Sequence, residues 1–370
     1  MIEREYIVKA LSSLGEVIMA FLNGKENNPA LEKAIDCSCN DNYWFTKENI
    51  LRALDAIVNK MLDNKKLNDW VSRYPFDAYG IQNIGLIMAG NIPLVGFHDL
   101  LSVLLSGNVA VIKPSSKDKY LIKTLCGILS DKFPVLSERI VFTEVKPQNV
   151  NAVIATGSNN SARYFRAEYK DIPLLSRKNR YSLAVLDGNE TNCELEALGD
   201  DIFSYFGLGC RNVSNIFVPK NYDWNMFFAA MEKYSDVIKH QGYNDCFRYQ
   251  KALSDLAEEN YLSNGFVIIR KNNPAFSSIA SINYTTYKDI EQVKAFLVEQ
   301  KEQIQCVVSK IACTENPTPF GYTQKPELTD YADGVNTMNF ICPTGTYMSS
   351  QPSETDKRGT VSKELCHGRA

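Results

Sequence analysis

The 370-residue sequence lacks several patterns that would assign it to a common functional class. It contains no GxGxxG fingerprint, so the ordinary glycine-rich dinucleotide-binding turn is absent. None of its ten cysteines forms a CxxC pair, and its three histidines lie far apart, which excludes a recognisable zinc signature. The net charge is only −3, and no basic stripe with interleaved aromatic residues is present, which argues against nucleic acid as a partner.

Long apolar runs and targeting features are also missing. The most apolar stretch, 84–97, is interrupted by Gly85, Gly90, Asn91 and Pro93, so no membrane span is expected. The N-terminus has neither a basic region nor a long apolar segment, which predicts no signal peptide. Scattered, unpaired cysteines are typical of a reducing compartment, so we expect a cytoplasmic location and no metal cofactor.

The sequence does contain an alternation of strand and helix patterns. Residues 1–75 carry apolar residues at helical spacing and are predicted to form a helical layer. A strand, helix, strand pattern from Ile84 to Ile112 is then typical of a parallel α/β sheet, and further units follow. We therefore predict an α/β fold with two doubly wound domains, at 76–190 and 191–330, whose ligands bind at the carboxyl ends of strands. Strand character returns at 331–342, and the polar segment 343–370 is predicted to be a flexible tail.

Cys210 lies in a turn of small residues between a helical run and a short apolar strand. Gly207 and Gly209 precede it, and glycine lets a ligand or another backbone approach closely. Arg211 places a fixed positive charge beside the sulfur, and that charge would favour the thiolate if both side chains face the same way. Cys210 is therefore a candidate nucleophile. The alternative is that it is a small buried hydrophobic residue, as most free cysteines are.

A lysine loop follows the second predicted strand of the first α/β unit. Lys113 ends that strand and is followed by Pro114, Ser115 and Ser116. At the carboxyl end of a parallel strand, the lysine could reach a ribose hydroxyl or a phosphate of a bound nucleotide. The alternative is a solvated lysine before a proline turn.

A second loop of small residues opens a predicted helix. Thr156, Gly157 and Ser158 follow a short apolar strand, and the helix begins at Asn159. Unpaired backbone N–H groups and the helix dipole make such a turn suitable for phosphate. A serine that only caps the helix is the alternative.

Taken in chain order, these stretches resemble the aldehyde dehydrogenase superfamily. The resemblance is carried by Asn91–Leu94, Gly107–Ser115, Thr156–Ser158 and the Gly-Leu-Gly-Cys turn at Cys210. The sequence is most similar to the acyl-CoA reductase branch, typified by the fatty-acid reductase of bacterial luminescence. This resemblance, over roughly 79–341, implies an aldehyde-dehydrogenase-like fold with a nicotinamide-binding domain followed by a catalytic cysteine domain.

The resemblance also implies roles for individual residues. Cys210 matches the nucleophile, and Asn91 matches the amide that stabilises the oxyanion together with the backbone N–H of Cys210. Lys113 matches the lysine that contacts the adenosine ribose, and the turn at Gly157 and Ser158 matches the one beneath the cofactor pyrophosphate. The stretch 333–341 resembles a late strand that helps many members to oligomerise, so a homo-oligomer is expected.

One departure from the superfamily pattern concerns the general base. Aldehyde dehydrogenases that produce acids carry a glutamate before the cysteine, in a region that corresponds here to about Leu175–Arg180. No Asp or Glu occurs from Ile172 to Leu186. Because that base activates the water that hydrolyses the acyl-enzyme, its absence favours reduction of an acyl-CoA or acyl-carrier thioester to the aldehyde. Such a substrate would suit an acyl-activating partner enzyme.

The loop after Lys113 bears on cofactor choice. In NAD-preferring aldehyde dehydrogenases the Lys-Pro-Ser run is commonly followed by glutamate, which would repel a 2′-phosphate. Here Ser116 and then Lys117 follow. A phosphate carries up to two negative charges, so NADPH is expected to be preferred, with NADH as the alternative.

Three other functions stay open at this stage. An acid-forming aldehyde dehydrogenase would need a base from elsewhere, such as Glu168 or Asp187. A cysteine hydrolase would pair Cys210 with His98 or His240. The third is a nucleotide-binding protein without catalytic activity.

Overall fold

The computed structural model describes residues 3–74 and 80–342. The helical layer predicted for 1–75 is present as four helices whose apolar faces are buried. Asn28, Thr46 and Asp63 each accept a backbone N–H at the start of a helix, which explains where the second, third and fourth helices begin. The helices are α1 (Arg4–Leu22), α2 (Pro29–Asp41), α3 (Lys47–Met61) and α4 (Asn64–Val71).

The first sheet has five parallel strands in the order β3-β2-β1-β4-β5. The strand order reverses at β1, so the carboxyl ends of β2 and β4 lie on either side of it. This is the position at which ligands bind in open α/β sheets. The elements are β1 (Asn83–Ile87), α5 (Phe97–Leu105), β2 (Val109–Lys113), α6 (Tyr120–Lys132), β3 (Ile140–Phe142), β4 (Ala152–Thr156), α7 (Asn159–Glu168) and β5 (Leu174–Arg177).

The second sheet has six strands in the order β11-β6-β7-β10-β9-β8, with β8 antiparallel to β9. Its first strand lies within 76–190, so the change of sheet comes earlier than the boundary predicted at 190. The elements are β6 (Tyr181–Val185), α8 (Asn192–Phe203), β7 (Val213–Pro219), α9 (Trp224–Met231), α10 (Gln241–Leu256), β8 (Tyr261–Ser263), β9 (Ile268–Lys271), β10 (Ser281–Tyr287), α11 (Ile290–Glu299) and β11 (Ile304–Val308).

The late strand predicted at 331–342 is wrong. A short 3-10 turn, Ala332–Gly334, and a helix, α12 (Thr337–Ile341), occupy this stretch. Asp333 and Gly334 have φ of 59° and 63°, which ends any extended backbone there. Asn336 then caps α12 by accepting the N–H of Asn339, and the apolar side of the helix is buried.

One hydrophobic core joins the helical layer to the first sheet, and a second lies around the helices α8–α10 and the second sheet. Within 3–74 and 80–342, none of the helices combines the length and apolar character that a membrane crossing needs. Across the same ranges, no group of three or more His, Cys, Asp or Glu side chains is arranged to hold a metal ion. The predicted tail, 343–370, lies outside the described residues.

Candidate active site

A cavity of about 170 Å³ lies where the two sheets and the helical layer meet. Cys210 lines it from the second α/β unit, and Asn91 and Thr156 line it from the ends of β1 and β4 in the first. The structure therefore brings three of the predicted site residues together. Such a concave site with converging polar groups is the usual form of a small-molecule binding site.

The loop before Cys210 is held in an unusual backbone conformation. Tyr205, Phe206 and Gly207 have φ of 53°, 57° and 77°, all in the left-handed region that only glycine adopts freely. Asn212, which is 2% exposed, accepts the N–H of Gly209 at 2.8 Å and donates to the carbonyl of Ser204 at 2.9 Å. Its amide nitrogen also lies within bonding distance of the last carbonyls of α8. Asn212 thus links the end of that helix to the cysteine loop.

The backbone of Cys210 is fixed from the opposite side by a buried hydroxyl. Ser182 on β6 donates to the carbonyl of Cys210 at 2.9 Å and accepts the N–H of Cys306 at 3.1 Å. A fully buried serine that satisfies both groups connects three neighbouring segments. The cysteine therefore stands on a rigid support.

The thiol of Cys210 is accessible within the cavity, although the cavity walls surround it. Burial among those walls raises the pKa of Cys210 to about 11, and the nearby charge of Arg211 acts in the opposite direction. The guanidinium of Arg211 lies 3.4 Å from Sγ of Cys306 and donates to the carbonyl of Asp330 at 2.9 Å. The predicted effect of Arg211 on the thiolate has the right sign, but burial outweighs it.

Asn91 lies on the turn after β1, facing the cysteine loop. Its Nδ2 donates to the carbonyl of Leu208 at 2.9 Å, which brings the amide within two residues of Cys210. Further along the turn, Leu94 has φ of 56°, and its N–H donates to Oδ2 of Asp118 at 2.6 Å. Asp118 thereby ties this turn to the loop that follows β2.

Asp118 is a buried carboxylate with one shielded oxygen. It is 6% exposed, and its Oδ1 has no hydrogen-bond partner among the described residues. Burial raises the pKa of Asp118 to about 7, with the N–H of Leu94 acting in the opposite direction. No local pattern predicts this role, because an aspartate just before a helix usually faces solvent.

Arg177 occupies the carboxyl end of β5, in the region that corresponds to the missing glutamate. It forms a two-point ion pair with Asp99, with contacts of 2.7 and 3.2 Å, and both residues line the cavity. It also donates to the carbonyl of Ala332 and to the hydroxyl of Thr337, each at 2.8 Å. Burial acts to lower the pKa of Arg177, but Asp99 outweighs it and the pKa is raised. A permanent cation therefore lies in the region that corresponds to the general base of acid-forming aldehyde dehydrogenases.

The carboxylates that line the cavity, within the described residues, are Asp99, Asp330 and Asp333. Asp333 forms an ion pair with Arg180 at 3.1 Å, and burial raises its pKa against the two arginines nearby. Asp330 accepts the N–H of Glu327 at 2.9 Å. Asp99 and Asp333 are thus each paired with an arginine, whereas Asp330 is exposed and accepts one backbone N–H.

Neither of the two acids considered for an acid-forming enzyme lines the cavity. Glu168 is paired with Lys146, and Asp187 with Lys310 at 3.7 Å.

Of the two histidines considered for a hydrolase, only His98 lines this cavity. Its Nε2 is bonded to the carbonyl of Leu328 at 3.0 Å, and burial lowers its pKa. His240 uses both ring nitrogens elsewhere, on the carbonyl of Tyr43 and the N–H of Tyr243. The structure therefore gives no histidine paired with Cys210 among the described contacts.

The loop after β2 lies beside the turn after β1. A Cβ on Gly90 would come within 2.8 Å of Cβ of Ser115, so only glycine permits this approach. Ser115 accepts the N–H of Lys117 at 3.2 Å, and both Ser116 and Lys117 are exposed. Lys113 and Pro114 end the strand next to β1 and do not line the cavity.

The loop after β4 lies on the other side of β1 and opens α7. Ser158 accepts the N–H of Ser161 at 3.2 Å, so it is an N-cap. A Cβ on Gly157 would lie 2.9 Å from Cβ of Ser161, which leaves the turn with a bare backbone. Thr156 faces the cavity, while Gly157 and Ser158 do not line it. The two loops flank the reversal point of the sheet, which is the position at which ligands bind in open α/β sheets.

Sequence reasoning missed several residues that build this site. Ser182 gave no signal, because its role depends on contacts with segments far away in the chain. Asn212 gave none, because its role depends on the folding of the loop between α8 and β7. Arg177 lies in the stretch from Ile172 to Leu186, where the prediction used only the absence of Asp and Glu. The helical layer also takes part, because α3 contributes apolar side chains to the cavity wall.

Comparison with solved structures shows the fold to be that of aldehyde dehydrogenases. Aldehyde dehydrogenase 21 from Physcomitrella patens, solved with succinate, matches with a TM-score of 0.60 at 10% identity, over 84% of this chain and 74% of its own. An indole-3-acetaldehyde dehydrogenase in complex with NAD+ matches with a TM-score of 0.62 at 10% identity, over 84% and 72%. A 3,6-anhydro-L-galactose dehydrogenase matches with a TM-score of 0.58 at 13% identity, over 85% and 75%.

At the level of sequence, no curated protein matches the chain. The family model for acyl-CoA reductase (LuxC), however, matches residues 37–231. This range includes Asn91, Lys113, the turn at Gly157 and Cys210. Since it spans more than half of the 370 residues, the chain belongs to the acyl-CoA reductase (LuxC) family.

Proposed function

We propose that the protein reduces a fatty acyl thioester to the aldehyde through an acyl-cysteine intermediate at Cys210, with NADPH as the preferred cofactor. The observation that carries this proposal is the cavity itself. Cys210 and Asn91 line the same space, and Asp99 and Asp333 within it are each paired with an arginine.

The first chemical step is attack of the Cys210 sulfur on the thioester carbonyl. Asn91 has two N–H groups, of which one is bonded to Leu208, so the second can donate to the oxyanion with the backbone N–H of Cys210. Collapse of the tetrahedral species expels the carrier thiol and leaves an acyl-enzyme. Ser182 and Asn212 hold the sulfur in place because they fix the backbone on both sides of it.

A bound nicotinamide would supply the hydride that converts the acyl-enzyme to a hemithioacetal, which releases the aldehyde. The adenosine ribose side of that cofactor would be held by the loop after β2, which consists of Lys113, Pro114, Ser115 and Ser116. Thr156, Gly157 and Ser158 would lie beneath its pyrophosphate.

The fate of the acyl-enzyme follows from the charge around it. Hydrolysis to an acid needs a group that removes a proton from water. Arg177 cannot do so, because it is permanently protonated and paired with Asp99. This favours aldehyde over acid as the product.

The test is cofactor oxidation with acyl-CoA substrates, followed by absorbance and by analysis of aldehyde and acid. We expect aldehyde to dominate and Cys210→Ala to abolish the reaction. Cys193→Ala is the matched control, since Cys193 is also exposed but does not line the cavity. Alkylation of Cys210 should accelerate with pH toward about 11, as its raised pKa requires. Turnover retained in Cys210→Ala would disprove the covalent route.

The preference for NADPH rests on Ser116 and Lys117, which are exposed beside Lys113 and carry no negative charge. A Ser116→Glu variant should shift the ratio of specificity constants toward NADH. An unchanged ratio would contradict the assignment of this loop to the 2′-phosphate.

The proposal also includes the surroundings of the reaction. An acyl-activating partner enzyme would supply the acyl-CoA or acyl-carrier thioester, and a cytoplasmic location would suit the free cysteines. A homo-oligomer stays a prediction, and its expected late strand is replaced by α12. Light scattering would test it.

A further inference from the structure

Helix α3 of the N-terminal layer forms an apolar wall of the cavity that contains Cys210. Ala53, Ala56, Ile57 and Met61 line the cavity from this helix. Their spacing places them on one face of an α-helix. The opposite face carries exposed residues such as Asn59.

The helix is fixed beside the cysteine loop at its beginning. Oδ1 of Asn49 accepts the N–H of Tyr205 at 3.3 Å, and Arg52 donates to the hydroxyl of Ser204 at 3.1 Å. The first lining residue, Ala53, therefore follows directly after the contacts with the loop that carries Cys210.

The far end of α3 is fixed to the segment 324–330. Lys60 of α3 binds the carboxylate of Glu327 at 2.5 Å, and Lys66 of α4 binds the same carboxylate at 2.8 Å. Pro326 from that segment lines the cavity. From Ala53 to Met61 the wall extends about 12 Å along the helix axis.

Side-chain size changes along this wall. Ala53 and Ala56 leave room near the cysteine loop, whereas Ile57 and Met61 are large and stand further along. Across from them, Leu94 and Phe97 add apolar surface from the first α/β unit. The polar groups of the cavity are contributed by other segments. A ligand with a reactive carbonyl and a hydrocarbon tail could contact both the polar groups near Cys210 and the apolar wall formed by α3.

We propose that the hydrocarbon chain of the acyl substrate lies along α3, with its carbonyl at Cys210, and that Ala53 and Ala56 control which chain lengths are accepted. This inference rests on the proposed function, since it assigns the tail of the same thioester. It gives the helical layer a role in specificity.

The first experiment compares saturated acyl-CoAs of graded length with wild type, Ala53→Leu and Ala56→Leu. Filling the wall should lower kcat/KM for long chains by about tenfold or more relative to short ones. Met61→Ala should move the optimum toward longer chains. Asn59→Leu adds similar apolar bulk on the exposed face of the same helix and should leave the profile unchanged.

The second experiment does not need turnover. N-alkylmaleimides of graded length would be used to alkylate Cys210, and the labelled site would be identified by mass spectrometry. In wild type the rate should rise with alkyl length, and in Ala53→Leu and Ala56→Leu this rise should be lost.

These two readouts separate the two claims. If the wild type reduces acyl-CoAs but neither Ala53→Leu nor Ala56→Leu changes the chain-length profile, the inference is overturned and the proposed function stands. If no thioester is reduced but the alkylation rates depend on α3 as expected, the chain-binding wall stands and the proposed function fails. The inference would be overturned directly if the alkylation rate of Cys210 did not depend on alkyl length and was the same in the wild type and the α3 variants.

Discussion

The surroundings of Cys210, the proposed reaction centre, and the two loops proposed to bind the cofactor are built in opposite ways. Around Cys210, buried groups such as Asn212, Ser182 and Arg177 are each bonded to two or more segments. By contrast, Ser116, Lys117 and Ser158 are exposed. The side chains of Ser115 and Ser158 accept hydrogen bonds from backbone N–H groups only two or three residues further along the chain.

This difference follows from what each region must do. A nucleophile and its oxyanion donors must hold their positions to fractions of an ångström, which needs packing and hydrogen bonds on every side. A dinucleotide presents charge and many acceptors, so backbone N–H groups and exposed side chains suffice to bind it. Substitutions should therefore be costly at the reaction centre and mild at the loops.

The largest effect is expected at the buried ion pair beside Cys210. Arg177→Met leaves the Asp99 carboxylate buried without its partner, so the free energy of unfolding should fall by about 3 to 5 kcal/mol, measured by urea denaturation. The double variant Arg177→Met, Asp99→Leu should recover much of that loss, because it removes the unpaired charge. A loss below about 0.5 kcal/mol, the range of ordinary surface substitutions, would show that the pair is not needed for the fold.

The next effect concerns the support of the cysteine loop. Asn212→Ala leaves buried carbonyls and the N–H of Gly209 without partners, which should lower stability by about 2 to 3 kcal/mol. Because the loop is also released, the alkylation rate of Cys210 should change. Asn192→Ala is the control, since that exposed amide at the start of α8 is bonded only locally. Equal losses in both variants would show that the contacts of Asn212 stabilise the fold no more than a local surface bond does.

Much of this architecture could be predicted from the sequence. The strands β1, β2 and β4 and the turn at Cys210 carry local signals, namely apolar runs followed by small residues. The contacts at Arg177 and Ser182 could not be predicted, because they join segments far apart in the chain. Those of Asn212 are close in sequence, but they depend on the left-handed backbone of the loop between α8 and β7, which has no local signal. The false strand at 333–341 has a local cause: its apolar residues suit a strand, but the left-handed backbone at Asp333 and the cap at Asn336 select a helix.

Asp118 is a buried residue in the loop after β2, beside the exposed Ser116 and Lys117. A substitution there should therefore have an effect between those expected for the two regions. Its pKa is raised above the ordinary value of 3.8 to about 7, so its stabilising contribution is complete below about pH 4 and is lost as pH rises through 7. Between pH 5 and pH 8 the loss should be about 2 to 3 kcal/mol.

Asp118→Asn imitates the neutral acid and should remove that pH dependence. The variant should match the wild type below about pH 4 and exceed its unfolding free energy by a growing margin between pH 5 and pH 8. Denaturation across this range would check it, with Asp131→Asn on exposed α6 surface as the control. A constant difference between Asp118→Asn and wild type at every pH would mean that Asp118 does not titrate there.

The smallest effect is expected at Ser158, where the two interpretations of the loop after β4 can be separated. As an N-cap, Ser158 should tolerate glycine with a loss of a few tenths of a kcal/mol and alanine with a loss of about 1 kcal/mol. Ser158→Asp retains a capping oxygen and places a negative charge at the start of α7, which favours the helix, so stability should be kept. If the cofactor pyrophosphate lies at this turn, the same charge should repel it and raise the KM for the cofactor. The increase should reach at most about fivefold, because an exposed charge pair contributes only about 0 to 1 kcal/mol. A KM that is unchanged in Ser158→Asp, with the cap intact, would mean that the serine only caps the helix and that the phosphates bind elsewhere.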